Sequence, residues 1–213
     1  TPEGRIGYGP ISVADVPALL NGTLNSLGPV EQIPFFAAQT RLTFVRCGVI
    51  DPLDLSAFEA HGGLSGLRRA LDLTKPQIVD EIKTSGPRGR GGAGFPTGIK
   101  WDTVSNAVAD QKYIVCNADE GDSGTFADRM IMEGDPFTLI EGMLIAGLAT
   151  GATKGFVYLR SEYPDAIKIM SEAVRIGQEN SLLGPNVLGS GRAFDMESAL
   201  GPGPMCAAKK PVF

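Results

Sequence analysis

Two short stretches carry the residue types able to do chemistry. Residues 88–98, RGRGGAGFPTG, hold five glycines, two arginines and a proline. Successive backbone N–H groups without Cβ atoms can form an anion-binding nest. Arg88, Arg90 and Lys100 surround that nest with positive charge, and arginine grips a phosphate bidentately. Phe95 and Trp101 stand near enough in sequence to stack on a flat ring. The second stretch, residues 117–124, reads NADEGDSG. Asn117, Asp119, Glu120 and Asp122 can accept hydrogen bonds from sugar hydroxyls or an amide.

Each stretch has a competing reading. The string from Gly89 through Arg90, Gly91, Gly92 and Ala93 to Gly94 matches G-x-G-x-x-G. A dinucleotide fingerprint must follow a strand and open a helix. Here the pattern predicts a helix before it, over 75–84, and Pro96 and Gly98 are expected to delay any helix after it. The dinucleotide reading therefore fails on context. No Gly-Lys-Ser/Thr closes the loop, so it is not a P-loop. A flexible surface loop remains the bland alternative, but Phe95, Pro96 and Trp101 argue for an ordered one. The acidic stretch can equally cap a following helix, or supply oxygen ligands to a metal. It lacks the twelve-residue ligand pattern of an EF-hand. Taken together, a phosphate-friendly loop and a hydroxyl-friendly turn point to a nucleotide or flavin.

Composition narrows the field. The 213 residues include 43% hydrophobic and 20% charged side chains, ordinary for a globular protein. The net charge of −5 gives no basic surface for nucleic acid. Cys47, Cys116 and Cys206 lie far apart, so this chain offers no zinc or iron–sulfur cage. Sparse cysteines suit a reducing, cytoplasmic compartment. His61, the single histidine, precedes two glycines and is expected at a helix end rather than in catalysis. The longest apolar run, 139–149, contains Glu141 and is too short to span a bilayer. The chain starts without methionine and is expected to begin mid-protein.

The elements that must position these residues follow from pattern. Ser12 to Asp15 reads as a capping motif before a short helix over 16–21. Residues 41–50, RLTFVRCGVI, are β-branched and predict a short strand. Two helices split by Gly62 and Gly63 are expected over 54–73. Thr74, Pro76 and Gln77 form a capping signature for the next helix. Residues 112–117, KYIVCN, predict a buried strand ending at the acidic turn. A strongly apolar helix follows from Pro136 to about Ala149. A second strand covers 155–160, an amphipathic helix runs from Pro164 to about Gln178, and a third strand is expected at 194–197. Alternating strands and helices define an α/β fold with a mainly parallel sheet.

The two stretches, SGPRGRGGAGFPTGIKW (85–101) and KYIVCNADEGDSGTFADRMIMEGDP (112–136), resemble the FMN- and NADH-binding subunits of the respiratory complex I 51-kDa family. LIEGMLIAGLATGATKGFVYLRSEYP (139–164) is similar as well, and the resemblance covers roughly residues 40–200. Within the family, GDSGTFADRMIMEGDP and IPFFAAQTRLTFVRCGVIDP look most like the diaphorase (beta) subunit of soluble NAD-dependent formate dehydrogenases. NAD-reducing hydrogenases have a similar subunit. The resemblance implies a non-classical Rossmann-like FMN-binding domain over 41–213, with helices flanking its sheet. Residues 1–40 would be a helical connector from a preceding thioredoxin-like domain. It implies hydride transfer between NAD(H) and FMN, coupled to an iron–sulfur chain. Gly89, Arg90, Gly91, Gly92, Lys100, Asn117, Asp119 and Glu120 would hold FMN. Phe95 would stack on the nicotinamide nucleotide and Asp122 would contact it. The family usually has glutamate at the Asp122 position.

A [4Fe–4S] cluster is expected in the family's later C-terminal segment. A gamma-type iron–sulfur subunit and a large alpha subunit with a molybdenum or tungsten cofactor are the expected partners. Residues 201–213, GPGPMCAAKKPVF, depart from the family's glycine-rich segment and its glutamate pair, so the flavin site is expected to be C-terminally incomplete. Alternatives are the equivalent subunit of a hydrogenase or complex I, or a truncated relay or assembly subunit without catalysis. Gly91→Val is expected to abolish FMN retention, because a branched side chain would fill the ring's approach surface. Full flavin occupancy in that variant would refute the close-backbone reading.

Overall fold

The computed structural model describes residues 4–90, 92–122 and 124–200. Gly91 and the 201–213 tail, both singled out above, lie outside the described residues. The chain divides into two units, Thr1–Leu42 and Thr43–Phe213. In the smaller, β1 (Ile6–Gly7), α1 (Val16–Leu20), β2 (Gly28–Pro29) and α2 (Pro34–Ala37) are short elements without a buried residue. β1 and β2 pair antiparallel. The expected capping box forms: Ser12 N–H and Oγ–H both donate to Asp15 Oδ2 at 2.7 Å.

The larger unit opens with a correction. Residues 41–50 form turns, not a strand. Side-chain contacts outweigh the β-branched pattern there. The Arg46 guanidinium donates to Asp135 at 2.9 Å and to Thr138 at 2.5 Å, and lies 4.7 Å from the Phe58 ring centre. An extended strand cannot curl that side chain down onto a buried carboxylate and an aromatic face.

The helices α3 (Leu55–Ala60) and α4 (Ser65–Leu71) appear where expected, split at the glycines. Asp54 caps α3 by accepting from Ala57 N–H at 2.9 Å. His61 sits at the helix end, its Nδ1 2.8 Å from the Ala57 carbonyl. α5 (Lys75–Ser85) carries the Thr74–Gln77 capping box and stops at Gly86 with φ +67.

A second correction follows. α6 (Thr97–Asn106) begins directly after Pro96 rather than later. Gly98 lies in its first turn for a packing reason. A Cβ there would stand 2.8 Å from the backbone N and Cα of Lys83 in α5. The glycine thus lets two helices cross at backbone contact, with the glycine loop strung between them.

The strand β3 (Tyr113–Ala118) leads to α7 (Ala127–Gly134), which the pattern did not reveal, and then to α8 (Pro136–Thr150). β4 (Lys154–Leu159), α9 (Pro164–Glu179) and β5 (Asp195–Leu200) complete the unit. The sheet order is β3-β4-β5, parallel throughout, with Cys116 beside Val157 and Val157 beside Ser198. Gly155, Val157, Leu159 and Met196 face the core under α8 and α9. On the other face Tyr113 and Val115 remain 55% and 63% exposed. β3, an outer strand of the order β3-β4-β5, thus has one uncovered face and is not the buried strand expected. Its apolar residues occupy both faces, and run-length alone cannot separate that from full burial.

The helix α8 is the pillar of the unit. Phe137, Ile140, Leu144 and Ala149 are essentially inaccessible to solvent. It packs against α4, α5, α6, α7, α9, β3 and β4. Glu141, the charge within its apolar run, accepts from Leu64 N–H at 3.0 Å and Leu67 N–H at 2.9 Å, satisfying the amino end of α4. Lys112 does the converse. Its ammonium donates to the carbonyls of Val104, Ser105 and Thr150, closing the carboxyl ends of α6 and α8. Among the described residues, no helix is long and apolar enough to cross a membrane.

Gly98→Ala is expected to destabilise the protein by about 1–3 kcal/mol, since α5 and α6 must part to admit one methyl. Thermal or denaturant unfolding of the variant measures it. An unchanged midpoint would show that the crossing is looser than the geometry indicates.

Candidate functional site

The glycine loop is closed at its base. Arg88 and Pro96 form an isolated antiparallel bridge. Gly89 N–H donates to the Phe95 carbonyl, and Thr97 N–H to the Pro87 carbonyl, both at 2.9 Å. Arg88 Nε donates to the Gly94 carbonyl at 2.6 Å, so this side chain locks the loop rather than offering itself to a ligand. Gly92 has φ +92 and Gly94 has φ +58, backbone states that favour glycine. A Cβ built on Gly92 would meet nothing within 4 Å, leaving open space beside it.

The side chains around the loop divide clearly. The side chains of Arg90 and Lys100 are exposed and, among the described residues, take part in no ion pair or hydrogen bond. Phe95 is half exposed. Trp101 packs partly buried against the core and is not a free stacking surface.

Asn117, the penultimate residue of β3, is exposed, and its Oδ1 accepts from Asp119 N–H at 3.1 Å. Asp119 is exposed. Asp122 is exposed, and its Oδ1 accepts from Gly124 N–H at 3.0 Å. Glu120 turns the other way and is only 8% exposed. Its Oε1 accepts from Ala127 N–H at 2.8 Å and Asp128 N–H at 3.4 Å, and its Oε2 from Arg129 N–H at 3.4 Å. Tyr163 O–H lies 3.3 Å from the same Oε2. Arg160 donates to the Glu120 carbonyl. The segment is thus a helix cap as well as an exposed polar turn, and the two readings fall on different residues.

The surrounding electrostatics are set by burial and by that carboxylate. Burial, then the Glu120 charge, pushes the Asp128 carboxyl up. Tyr163 is raised by the same two causes, and Arg129 and Arg160 lie over its ring at 5.4 and 5.6 Å. Burial, then Asp128, pushes the Cys116 thiol up to about 11. Among the described residues no three His, Cys, Asp or Glu side chains converge to hold a metal ion.

No hydrogen bond or ion pair joins the glycine loop to the acidic turn among the described residues. Two surface clefts lie elsewhere. One beside α9 is lined by Leu53, Lys168 and Arg175, and the other by Lys75, Asp110 and Thr153. Neither includes a residue of these two segments. Sequence reasoning passed over Arg160 and Tyr163. Both follow the carboxyl end of β4, the neighbour of β3, where open α/β sheets place their ligands. That rule, applied to both strands, would have nominated them.

These features define an α/β protein with helices over a parallel sheet, a glycine loop flanked by cations unpaired among the described residues, and a polar turn at a strand's carboxyl end. Residues 82–203 match the family model of the Nuo51 FMN-binding domain, and the chain belongs to that complex I 51-kDa family. It is 51% identical over 165 residues to the NADP-reducing hydrogenase subunit HndC of Solidesulfovibrio fructosivorans, covering 78% of this chain and 34% of that one. It is 44% identical over 149 residues to the mitochondrial NADH-ubiquinone oxidoreductase 51 kDa subunit of Neurospora crassa, covering 68% and 30%. The crystal structure of an air-oxidized NAD+-reducing [NiFe]-hydrogenase superposes with a TM-score of 0.54 at 28% identity, covering 90% of this chain and 31% of that one. The chain therefore spans 34% and 30% of the length of these two curated relatives.

FMN fits the residues present. The chemical kinds of group that FMN requires are present: open space beside Gly92, the Arg90 and Lys100 side chains without partners among the described residues, and the exposed Asn117 and Asp119. The Glu120 carboxylate is already engaged within the protein.

Cys116 is expected to resist thiol reagents near neutral pH. A thiol whose folded pKa is raised favours the neutral form, so its contribution to stability holds below its unfolded pKa and is lost as pH rises through about 11. Alkylation rates followed from pH 7 to 10 by peptide mass mapping check this. Labelling of Cys116 at pH 7 as fast as that of a free thiol would contradict the burial.

Proposed function

We propose that this chain is the FMN- and NAD(H)-binding part of a diaphorase subunit in a multi-subunit oxidoreductase. The observation that carries the reading is the glycine loop. It is locked at its base, open beside Gly92, and flanked by two cationic side chains without partners among the described residues, within the stretch matched by an FMN-binding family. When bound, FMN supplies the step from hydride to single-electron chemistry. The chain's own residues supply binding and orientation. The backbone at Gly91 and Gly92, with Arg90 and Lys100, holds the phosphate side of FMN. Gly89, its N–H engaged by Phe95, keeps the approach free of a side chain. Asn117 and Asp119 meet the flavin hydroxyls, and Glu120 stands on the same turn. Phe95 stacks on the nicotinamide nucleotide and Asp122 reaches its polar edge.

The finer reading is the beta subunit of a cytoplasmic NAD-dependent formate dehydrogenase. It rests on the resemblance of residues 33–52 and 121–136. Its partners would be a gamma-type iron–sulfur subunit and an alpha subunit holding molybdenum or tungsten, with a [4Fe–4S] cluster in the C-terminal segment of such subunits. Electrons would pass between formate and NAD+ through those clusters. A second reading, the same subunit of an NAD(P)-reducing hydrogenase, is favoured by the 51% identity to HndC and by the hydrogenase likeness.

Purification of the native assembly tests both levels. Bound FMN and NADH–dye reduction are expected, and their absence would overturn the diaphorase reading. Molybdenum or tungsten in the assembly supports the formate enzyme, nickel the hydrogenase, and neither metal complex I. Arg90→Gln and Lys100→Gln are each expected to weaken FMN binding about tenfold, by loss of a charge-assisted phosphate contact. The unfolding midpoint of the flavin-free protein should stay unchanged, since neither side chain has a partner among the described residues.

A further inference from the structure

α7 lacks a cap of its own. The residue at its amino end, Phe126, sits in the left-handed region at φ +34 and has no polar side chain. The first N–H groups of α7 point instead at a carboxylate upstream of the helix. Glu120 accepts from Ala127, Asp128 and Arg129, and Tyr163 adds its O–H. A carboxylate has about four acceptor positions, and here four donors meet them. On the main chain of the same residue, Arg160 holds the carbonyl. Glu120 is therefore gripped from α7 by its side chain and from the β4–α9 turn by both its side chain and its backbone.

The exposed acids flank it. Asp119 comes immediately before Glu120 and Asp122 shortly after, both facing solvent. With Glu120 fixed, that short turn has little freedom, and the height of the two acids above the strand end is set.

We infer that Glu120, clasped by Tyr163, Arg160 and the amino end of α7, is a positioning residue that holds the 117–122 turn against its ligands, and that its side chain does not itself contact FMN. This rests on the flavin reading above for the identity of the ligand, but the clasp itself is a property of the protein alone.

Glu120→Gln and Tyr163→Phe, made in the assembled enzyme, test it. Glutamine keeps one acceptor oxygen for Ala127 and Asp128 but sets an NH2 against the Arg129 N–H, which cannot turn away. Phenylalanine removes the fourth donor and leaves the carboxylate. Both variants are expected to release FMN about five- to tenfold faster, followed by flavin fluorescence on dilution, and to raise KM for NADH. With FMN in excess, kcat should return to the wild-type value, and the flavin absorption spectrum should match wild type. Faster amide exchange at residues 119–129 should appear in both variants without FMN. A changed flavin spectrum in E120Q would overturn the proposal in favour of direct contact. FMN release and KM unchanged in both variants would reduce Glu120 to a helix cap, and unchanged amide exchange would remove the clasp. If E120Q fails to assemble, Y163F decides by the same readouts. If the wild-type assembly binds no flavin, that result falls on the proposed function, and amide exchange still decides the clasp.

Discussion

Helix ends that cannot reach water must find partners, and the larger unit is organised around that requirement. Four N–H groups and four carbonyls are left over on each helix. Here charged side chains from other elements meet several of them. Glu141 of α8 serves the start of α4, Glu120 of the β3 turn serves the start of α7, and Lys112 before β3 serves the ends of α6 and α8. Each contact does two jobs, because a charge borrowed from elsewhere also ties two elements together. The sign agrees with the helix dipole in every case, carboxylates at amino ends and an ammonium at carboxyl ends.

That scheme also anchors the two segments of the candidate site. α5 and α6 cross at Gly98 with backbone contact, so the glycine loop between them has anchored feet. Arg88 then closes the loop onto Gly94, which fixes the loop's base. The acidic turn is anchored by the Glu120 clasp. Two rigidly footed segments with free polar groups are a sound design for gripping a ligand that brings its own chemistry, since the protein's contribution to such a site is orientation.

Much of this architecture was legible beforehand. The Ser12–Asp15 box on the turn before α1, the capping box of α5, the split at Gly62 and Gly63, and the strand–helix–strand alternation all depend on local sequence, and all form. The errors share a cause in tertiary contacts. Residues 41–50 look like a strand, but Arg46 answers to Asp135, a residue 89 positions away. α6 starts early because its Gly98 packs on Lys83, not because of its own propensity. α7 shows no capping residue at its own start, where Phe126 stands, and the acidic stretch that could cap a helix does so through Glu120. In the site, the same blindness grouped Glu120 with its exposed neighbours, although residue type alone cannot say which of several nearby acids turns inward. Arg160 and Tyr163 carry no motif and become visible only once β4 is placed beside β3.

The direction of these long-range contacts bears on how the chain acquires its structure during synthesis. α3 and α4 leave the ribosome well before α8, yet the groups that satisfy α4 belong to Glu141, 77 and 74 residues later than their partners. Arg46 waits still longer for Asp135 and Thr138. Contacts of such separation are slow to form, because a long loop must close before they reward it. Until α8 emerges, Phe58, Leu64 and Leu67 have no core to enter, although all three end buried. The amino-terminal third of the larger unit is thus the portion most exposed to misassociation while translation proceeds.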